Sequence, residues 1–190
     1  MERPLHQFSF RTESGGKNYN SIKNVKSFDM GNGVIKVGNN AFSNGNIANG
    51  WHTSLISFKF SDKLETIGSK AFMNLSAIRS LSLPNSLKTI GNSAFTNCSS
   101  ALFTFGDNIE SIGVEAFKNC QGVRTIKIPN TTTSVGAAAF MGCNGATALS
   151  IGNGLKTINN STFQNCSNLK RIDIPDSVWY VRNSVFASCT

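Results

Sequence analysis

Five cysteines and two histidines are the side chains of this 190-residue sequence best suited to nucleophilic or metal chemistry. The cysteines are evenly spaced, at intervals of 22, 23, 23 and 23 residues: Cys98, Cys120, Cys143, Cys166 and Cys189. No pair has the CxxC spacing of a metal or thiol-redox motif, and an odd number cannot all pair within one chain. The even interval indicates that each cysteine occupies the same place in a repeated unit, where we expect it to pack as a small buried apolar side chain.

The other polar residues form no catalytic or metal-binding motif. His6 and His52 are far apart in the sequence, and the ten acidic residues stand in no recognisable pattern with them. Gly31-Asn32-Gly33 lacks the third glycine, the lysine and the helix start that a phosphate-binding loop requires. We therefore predict no catalytic, cofactor-binding or metal-binding residues, and no enzymatic activity.

The composition describes a basic chain without a membrane span. The formal net charge is +8, which favours acidic partners. The basic residues are spread along the chain, and their longest run is Lys170-Arg171. This spread argues against specific nucleic-acid binding and leaves an anionic glycan open. No apolar run approaches the roughly 20 residues of a transmembrane helix, and the first residues lack the apolar core of a secretory signal.

Phenylalanine marks the repeat. One phenylalanine recurs at intervals of 22 or 23 residues after a first interval of 30, a set that we call the phenylalanine ladder: Phe42, Phe72, Phe95, Phe117, Phe140, Phe163 and Phe186. A branched aliphatic residue stands five positions before each, and glycine stands four before in the first five copies. We expect that glycine to provide a corner with positive φ. Asn159 suits the same conformation in the sixth copy, whereas Arg182 in the last copy fits it poorly.

A short alternating apolar pair follows five of the ladder residues, from Phe72 to Phe163, by about nine positions. The pairs are Leu81/Leu83, Phe103/Phe105, Ile126/Ile128, Leu149/Ile151 and Ile172/Ile174, with Phe58/Phe60, Phe28/Met30 and Phe8/Phe10 upstream. Such alternation is typical of a strand with one buried face, and proline ends three of the runs. Because one unit cannot bury its apolar side chains alone, we expect the units to stack into a solenoid.

These units resemble the BspA-type leucine-rich repeats. The segments LKTIGNSAFTNC, IESIGVEAFKNC and LKRIDIPDSVWYVRNSVFASC follow the pattern of that family closely. The resemblance implies a β-rich leucine-rich-repeat solenoid of the α/β horseshoe class. It would have repeats of about 23 residues, a parallel sheet on one side and short turns or 3₁₀ segments opposite. It also implies a surface or secreted protein, since several members are regarded as adhesins. The family has no catalytic residues that could be matched to this sequence.

The resemblance divides the chain into two parts. We expect residues 1–27 to form an N-terminal cap with a degenerate first strand, and residues 28–190 to form a solenoid of about seven units. Extra residues near 45–52 should protrude as a loop. No capping segment follows the last unit in this sequence, so we expect its C-terminal end to be open.

Three sets of residues are candidates for contact with a partner. On the predicted sheet face these are Lys59, Lys127 and Arg171; in the loop, Trp51 and His52; and in the last unit, Trp179 and Tyr180. The last pair replaces polar residues of the other units, and it could either anchor a partner or shield the open end.

The leading hypothesis is a non-enzymatic adhesion or protein-interaction module that binds a host or matrix protein. One alternative is a structural subunit of a larger assembly, such as a virion or envelope, that is joined through the uncapped C-terminal end. Another is a binder of anionic ligands. The family resemblance points to the cell surface or to secretion, but the compartment is left undetermined.

Overall fold

The structure, a computed structural model, describes residues 25–43 and 54–189. The predicted cap over residues 1–27 lies almost wholly outside these ranges. The extra loop near 45–52 and the pair Phe8/Phe10 lie entirely outside them.

Most turns of the chain contribute two short strands, one to each of two series that we call the first and the second sheet. The first-sheet strands are β1 (Ser27–Asp29), β3 (Ser57–Lys59), β5 (Ser80–Ser82), β7 (Leu102–Thr104), β9 (Thr125–Ile128) and β11 (Ala148–Ile151). The second-sheet strands are β2 (Lys36–Val37), β4 (Thr66–Ile67), β6 (Thr89–Ile90), β8 (Ser111–Ile112), β10 (Ser134–Val135), β12 (Thr157–Ile158) and β13 (Tyr180–Val181). Strand pairing is interrupted once in each series, between β7 and β9 and between β10 and β12. Turns connect the strands, and the described residues contain no helix. This is the predicted solenoid, with turns rather than 3₁₀ segments opposite the sheets.

All strand pairs are parallel and keep the register of the repeat. β1, β3, β5 and β7 are neighbours in the first sheet, and β9 pairs with β11. β2, β4, β6, β8 and β10 are neighbours in the second sheet, and β12 pairs with β13. The partners Phe28↔Phe58 and Leu81↔Phe103 show that equivalent positions lie side by side. The solenoid therefore places each repeat position in a row along its axis.

The phenylalanine ladder forms the centre of the core. Phe117 is fully buried, and its ring stacks on Phe95 and Phe140 with centroids 5.3 and 5.1 Å apart. Edge-to-face contacts from Phe103 and Phe105 surround the same ring at 5.2 Å. Stacked and edge-to-face rings are the favourable aromatic geometries, so the ladder binds each turn to the next.

The regular recurrence of glycine four residues before the ladder phenylalanine has a different cause from the one expected. Gly68, Gly91, Gly113 and their equivalents do not have positive φ, so the predicted glycine corner is wrong. A Cβ at Gly113 would lie 2.5 Å from the backbone nitrogen of Asn92 in the preceding turn. Gly68, Gly91, Gly113 and Gly136 therefore permit close approach between turns, whereas a Cβ at Gly38 would meet nothing within 4 Å. At Asn159 the side-chain amide instead donates to the Val135 carbonyl at 2.7 Å.

Positive φ occurs two residues before each ladder phenylalanine, at residues that carry side chains. The values lie between 53° and 56° at Asn40, Lys70, Ser93, Glu115, Ala138, Ser161 and Ser184. Backbone bonds to the next turn hold this conformation, as from Ala138 N–H to the Asn160 carbonyl at 2.9 Å. Left-handed backbone is unfavourable for residues with a Cβ, so each turn carries some strain here.

We expect Ala138→Gly to raise the free energy of unfolding by about 0.5–1 kcal/mol, because glycine adopts positive φ without strain. The adjacent substitution Ala139→Gly is the matched control, since Ala139 is fully buried and its φ is not positive. The control should lower stability by about 1 kcal/mol. Urea unfolding followed by circular dichroism measures both, and equal effects of the two substitutions would contradict this explanation.

The predicted strand around Ile172/Ile174 does not form. The arm 171–175 makes no sheet pairing with β11, and a cavity of about 200 Å³ lies between them, lined in part by Ile151 and Pro175. Ile174 is consequently 41 % exposed. The arm has the same apolar alternation as the others, but it has separated from its neighbour.

Candidate partner-binding site

The cysteines form a structural row in the core. Cys98, Cys120, Cys143 and Cys166 are free and buried, and Cys189 is half-buried. Each thiol donates to the carbonyl of a ladder phenylalanine in the preceding turn, as from Cys120 Sγ to Phe95 O at 3.1 Å. Burial raises the pKa of Cys98 and of Cys166 to about 12, so these thiols stay protonated and unreactive near neutral pH.

The described residues show no metal site and no membrane-spanning helix. No group of three or more histidine, cysteine, aspartate or glutamate side chains converges within residues 25–43 and 54–189. Over the same ranges, no helix has the length and apolar character needed to cross a bilayer.

The three cations predicted on the sheet face are each paired with a carboxylate. Lys59 Nζ lies 3.2 Å from Asp29 Oδ2, and Arg171 Nε lies 2.6 Å from Asp173 Oδ2. Lys127 Nζ contacts Asp107 Oδ1. Their charges are therefore largely compensated, although such exposed pairs add little to stability.

The predicted contact residues do not converge on one site. Lys59 in β3 and Lys127 in β9 lie on the same face but several turns apart, and Arg171 lies on the separated last arm. Trp51 and His52 lie outside the described residues. The remaining pair, Trp179 and Tyr180, stands on the second sheet, away from the other candidates.

Trp179 and Tyr180 project from the outer face of the second sheet. Tyr180 pairs with Thr157, which confirms that the two aromatics occupy the place of Lys156 and Thr157 in the turn before. Trp179 is 76 % exposed and Tyr180 is 46 % exposed. The position of Trp179 is also exposed in interior turns, at Lys156 and Thr133. Its outward direction is therefore a property of the repeat position.

Arg182 completes this aromatic group. Its guanidinium carbon lies 5.1 Å from the centre of the Tyr180 ring, and the Trp179 and Tyr180 rings stack with centroids 6.1 Å apart. We call Trp179, Tyr180 and Arg182 the Trp–Tyr–Arg cluster. Sequence reasoning noticed Arg182 only as a replacement for glycine. Its two-residue offset from Tyr180, which places both side chains on one face of a strand, was the signal that could have identified it.

The backbone of the Trp–Tyr–Arg cluster is fixed on the preceding turn. Trp179 N–H donates to the Lys156 carbonyl at 3.1 Å, and Arg182 N–H donates to the Ile158 carbonyl at 3.0 Å. The cation–π contact and the ring stacking add side-chain order. The cluster is thus an exposed aromatic and cationic surface held by the solenoid.

Comparison with solved structures finds the same fold in several bacterial leucine-rich-repeat proteins. A leucine-rich repeat protein of Eubacterium ventriosum superposes with a TM-score of 0.74 at 20 % identity, over 86 % of this chain and 43 % of that one. The leucine-rich repeat protein of T. pallidum gives 0.72 at 23 % identity, over 83 % of this chain and 74 % of that one. A leucine-rich cell surface protein of Faecalibacterium prausnitzii gives 0.50 at 21 % identity, over 87 % and 52 %. At these identities the likeness concerns the fold, and the chain spans less than half of the Eubacterium protein.

Sequence comparison identifies the repeat itself. No curated protein sequence matches the chain. The BspA type leucine rich repeat region matches in six copies, over residues 50–105 and 100–190. These ranges contain most of the phenylalanine ladder and all five cysteines. The chain belongs to the BspA-type leucine-rich-repeat family.

Proposed function

We propose that the chain is an adhesin-like recognition module that binds a protein partner through the Trp–Tyr–Arg cluster, at a cell surface or after secretion. Leucine-rich-repeat solenoids are scaffolds for protein interaction and are typically not enzymes. A fold-level similarity does not specify a partner, so the proposal depends on the composition and exposure of this one surface.

The observation that carries the proposal is the 76 % exposure of Trp179 beside Tyr180 and Arg182. Tryptophan, tyrosine and arginine are the residues most enriched at the energetic centres of protein interfaces. Their backbone is already fixed by bonds to Lys156 and Ile158, so binding would order few additional groups. The exposure of Trp179 also favours a contact role over shielding of the solenoid end.

A surface location is supported by the relatives. The Faecalibacterium protein with the same fold is described as a cell surface protein, and surface display suits a rigid module that presents a side-chain cluster. The alternative of an anionic-ligand site at Lys59, Lys127 and Arg171 has less support, because each of these cations already contacts a carboxylate.

The double variant Trp179→Ser/Tyr180→Thr tests the proposal. Truncation of an interface centre typically costs 2 kcal/mol or more, so we expect a loss of at least about 30-fold in affinity. Binding of the purified chain to immobilised collagen, laminin and fibronectin can be followed by biolayer interferometry. Leu102→Ser/Val114→Ser is the matched control, since these side chains are 49 and 45 % exposed on other parts of the solenoid. Unchanged binding by the first variant, or equal loss in both, would contradict the proposal.

Light scattering after size exclusion separates adhesion from self-assembly. A monomer in both the unaltered chain and the double variant is the result expected of an adhesin-like module. An oligomer that dissociates on Trp179→Ser/Tyr180→Thr would instead favour the structural-subunit hypothesis, with the Trp–Tyr–Arg cluster as the contact between copies.

A further inference from the structure

A row of cations runs along the edge of the first sheet, at the residue directly before every second strand. Lys26 precedes β1, Arg79 precedes β5 and Arg124 precedes β9, and Lys170 holds the same position before the last arm. All four are exposed. We call Lys26, Arg79, Arg124 and Lys170 the basic row.

Backbone bonds place these residues on one line in two segments, Lys26 to Arg79 and Arg124 to Lys170, and no strand pairing joins β7 to β9 between them. Ile56 N–H donates to the Lys26 carbonyl at 2.9 Å, and Arg79 N–H donates to the Ile56 carbonyl at 3.1 Å. Thr147 N–H donates to the Arg124 carbonyl at 2.9 Å, and Lys170 N–H donates to the Thr147 carbonyl at 3.3 Å. Cations and uncharged residues therefore alternate along the line.

The alternation sets a regular spacing of positive charge. The pairing Ser80↔Leu102 places Ala101 beside Arg79, so Ile56, Ala101 and Thr147 hold the intervening turns. Neighbouring parallel strands are about 4.8 Å apart, so cations on every second turn recur at about 10 Å. The two cations of each bonded segment, Lys26 with Arg79 and Arg124 with Lys170, are thus about 10 Å apart along the sheet edge.

The charge of the basic row is not compensated within the described residues. The ion pairs found there join Asp29 to Lys59, Glu65 to Lys88, Glu115 to Lys118, Asp107 to Lys127 and Asp173 to Arg171. None includes a member of the basic row. Positive charges without partners add to one potential along the line, whereas the cations on the adjacent face have carboxylate neighbours.

The surface beside the basic row consists mostly of small, hydroxylated side chains. The adjacent outward row consists of Ser27, Ser57, Ser80, Leu102, Thr125 and Ala148. Small side chains leave room for a chain to lie across the turns, and serine and threonine hydroxyls can bond to sugar hydroxyls. This row offers no aromatic ring on which a nucleobase could stack, as single-stranded nucleic acids require.

We propose that the basic row binds an acidic polysaccharide with one carboxylate or sulfate group per disaccharide. Two pyranose rings separate the charges of such a polymer by about the spacing of every second strand, roughly 10 Å. Arg79 and Arg124 supply planar donor pairs that match a carboxylate or sulfate. Duplex DNA presents a phosphate about every 3.4 Å along each strand, which does not match the interval of the row.

Hyaluronan oligosaccharides are the direct probe, since they carry one carboxylate per disaccharide. The test variant is Arg79→Gln/Arg124→Gln, and the control is Lys59→Gln/Lys127→Gln, which removes the same charge from ion-paired positions of the same sheet. At 50 mM salt we expect about 10-fold or greater loss of affinity in the test variant and less than about 3-fold in the control. The slope of log affinity against log salt should also become shallower only in the test variant.

Three results would overturn the proposal: no hyaluronan binding by the unaltered chain at 50 mM salt, equal loss in both variants, or tighter binding of polyuridylate than of hyaluronan. Trp179→Ser/Tyr180→Thr should bind hyaluronan like the unaltered chain, because the Trp–Tyr–Arg cluster lies on the other sheet. This site is independent of the protein contact proposed above, so the failure of one proposal leaves the other standing.

Discussion

Replacing Phe117 with alanine is expected to lower the free energy of unfolding by about 3–5 kcal/mol, the usual cost of deleting a buried phenylalanine ring. Phe117 is fully buried in the middle of the phenylalanine ladder. Its loss removes stacking on both Phe95 and Phe140 as well as the edge contacts of Phe103 and Phe105. In a solenoid, stability depends on contacts between neighbouring turns, so the substitution weakens two of them together.

Phe186→Ala is the matched control for Phe117→Ala. Phe186 occupies the same repeat position but is half-buried, and it stacks on Phe163 at 5.5 Å. We expect its replacement to cost less than half as much, since less apolar area is lost. Urea unfolding followed by circular dichroism gives both values. A larger cost for Phe186→Ala than for Phe117→Ala would show that the ladder is not the main source of cohesion between turns.

Alkaline pH is expected to unfold the protein through its buried thiols. Burial raises the pKa of Cys98 and Cys166 to about 12 and that of Cys120 and Cys143 well above the usual value. The folded state therefore keeps these protons at pH values where the unfolded state has lost them. Their contribution to stability is complete below about pH 8.5 and falls as the pH rises toward 12. In that pH window each thiol lowers the free energy of unfolding by about 1.4 kcal/mol per pH unit.

Four such thiols would together lower the free energy of unfolding by about 5 kcal/mol per pH unit. Since a domain typically has only about 5–15 kcal/mol of stability, a rise of a few pH units should unfold it. Denaturant midpoints at pH 8, 9 and 10, measured with a reductant present, test this expectation. Cys120→Ala lowers stability at pH 7 but should make the decline with pH about one quarter shallower. The same slope with and without Cys120 would show that other groups cause the alkaline unfolding.

The fold could be predicted because its pattern is repeated. Each inward position occurs once per turn, so a single substitution such as Phe103 for leucine does not hide the period. Parallel pairing and register then follow, since identical units stack with equivalent residues side by side. Free, buried cysteines also follow from the even interval.

The local backbone could not be predicted in the same way. Positive φ falls at Lys70 and Glu115, whose side chains give no sign of it. Bonds from the neighbouring turn impose this conformation, as from Lys70 N–H to the Asn92 carbonyl at 2.8 Å. We expected positive φ at glycine because glycine adopts this conformation more readily than residues with a side chain. The close approach of the backbone of the preceding turn arises only when the units stack, so it is not visible in the sequence of one unit.

The candidate sites depend on contacts between residues of different turns, so the sequence alone predicts them only in part. Exposure of Trp179 and Tyr180 could be inferred from the polar residues that other turns have there. The pairing of Lys59 with Asp29 joins residues 30 positions apart, and it becomes evident only in the correct register. The separation of Ile174 from β11 leaves no trace in the apolar pattern, since the last arm has the same alternation as the others.

Whether Trp179 enters an interface can be observed directly by fluorine NMR. The chain has two tryptophans, so a Trp51→Phe variant grown with 5-fluorotryptophan reports on Trp179 alone. The chain is then titrated with collagen, laminin and fibronectin in turn. If the Trp–Tyr–Arg cluster is the contact surface, the Trp179 resonance will shift or broaden with the protein that binds. Binding that leaves this resonance unchanged, or no binding to any of the three, would contradict the proposed role of the cluster.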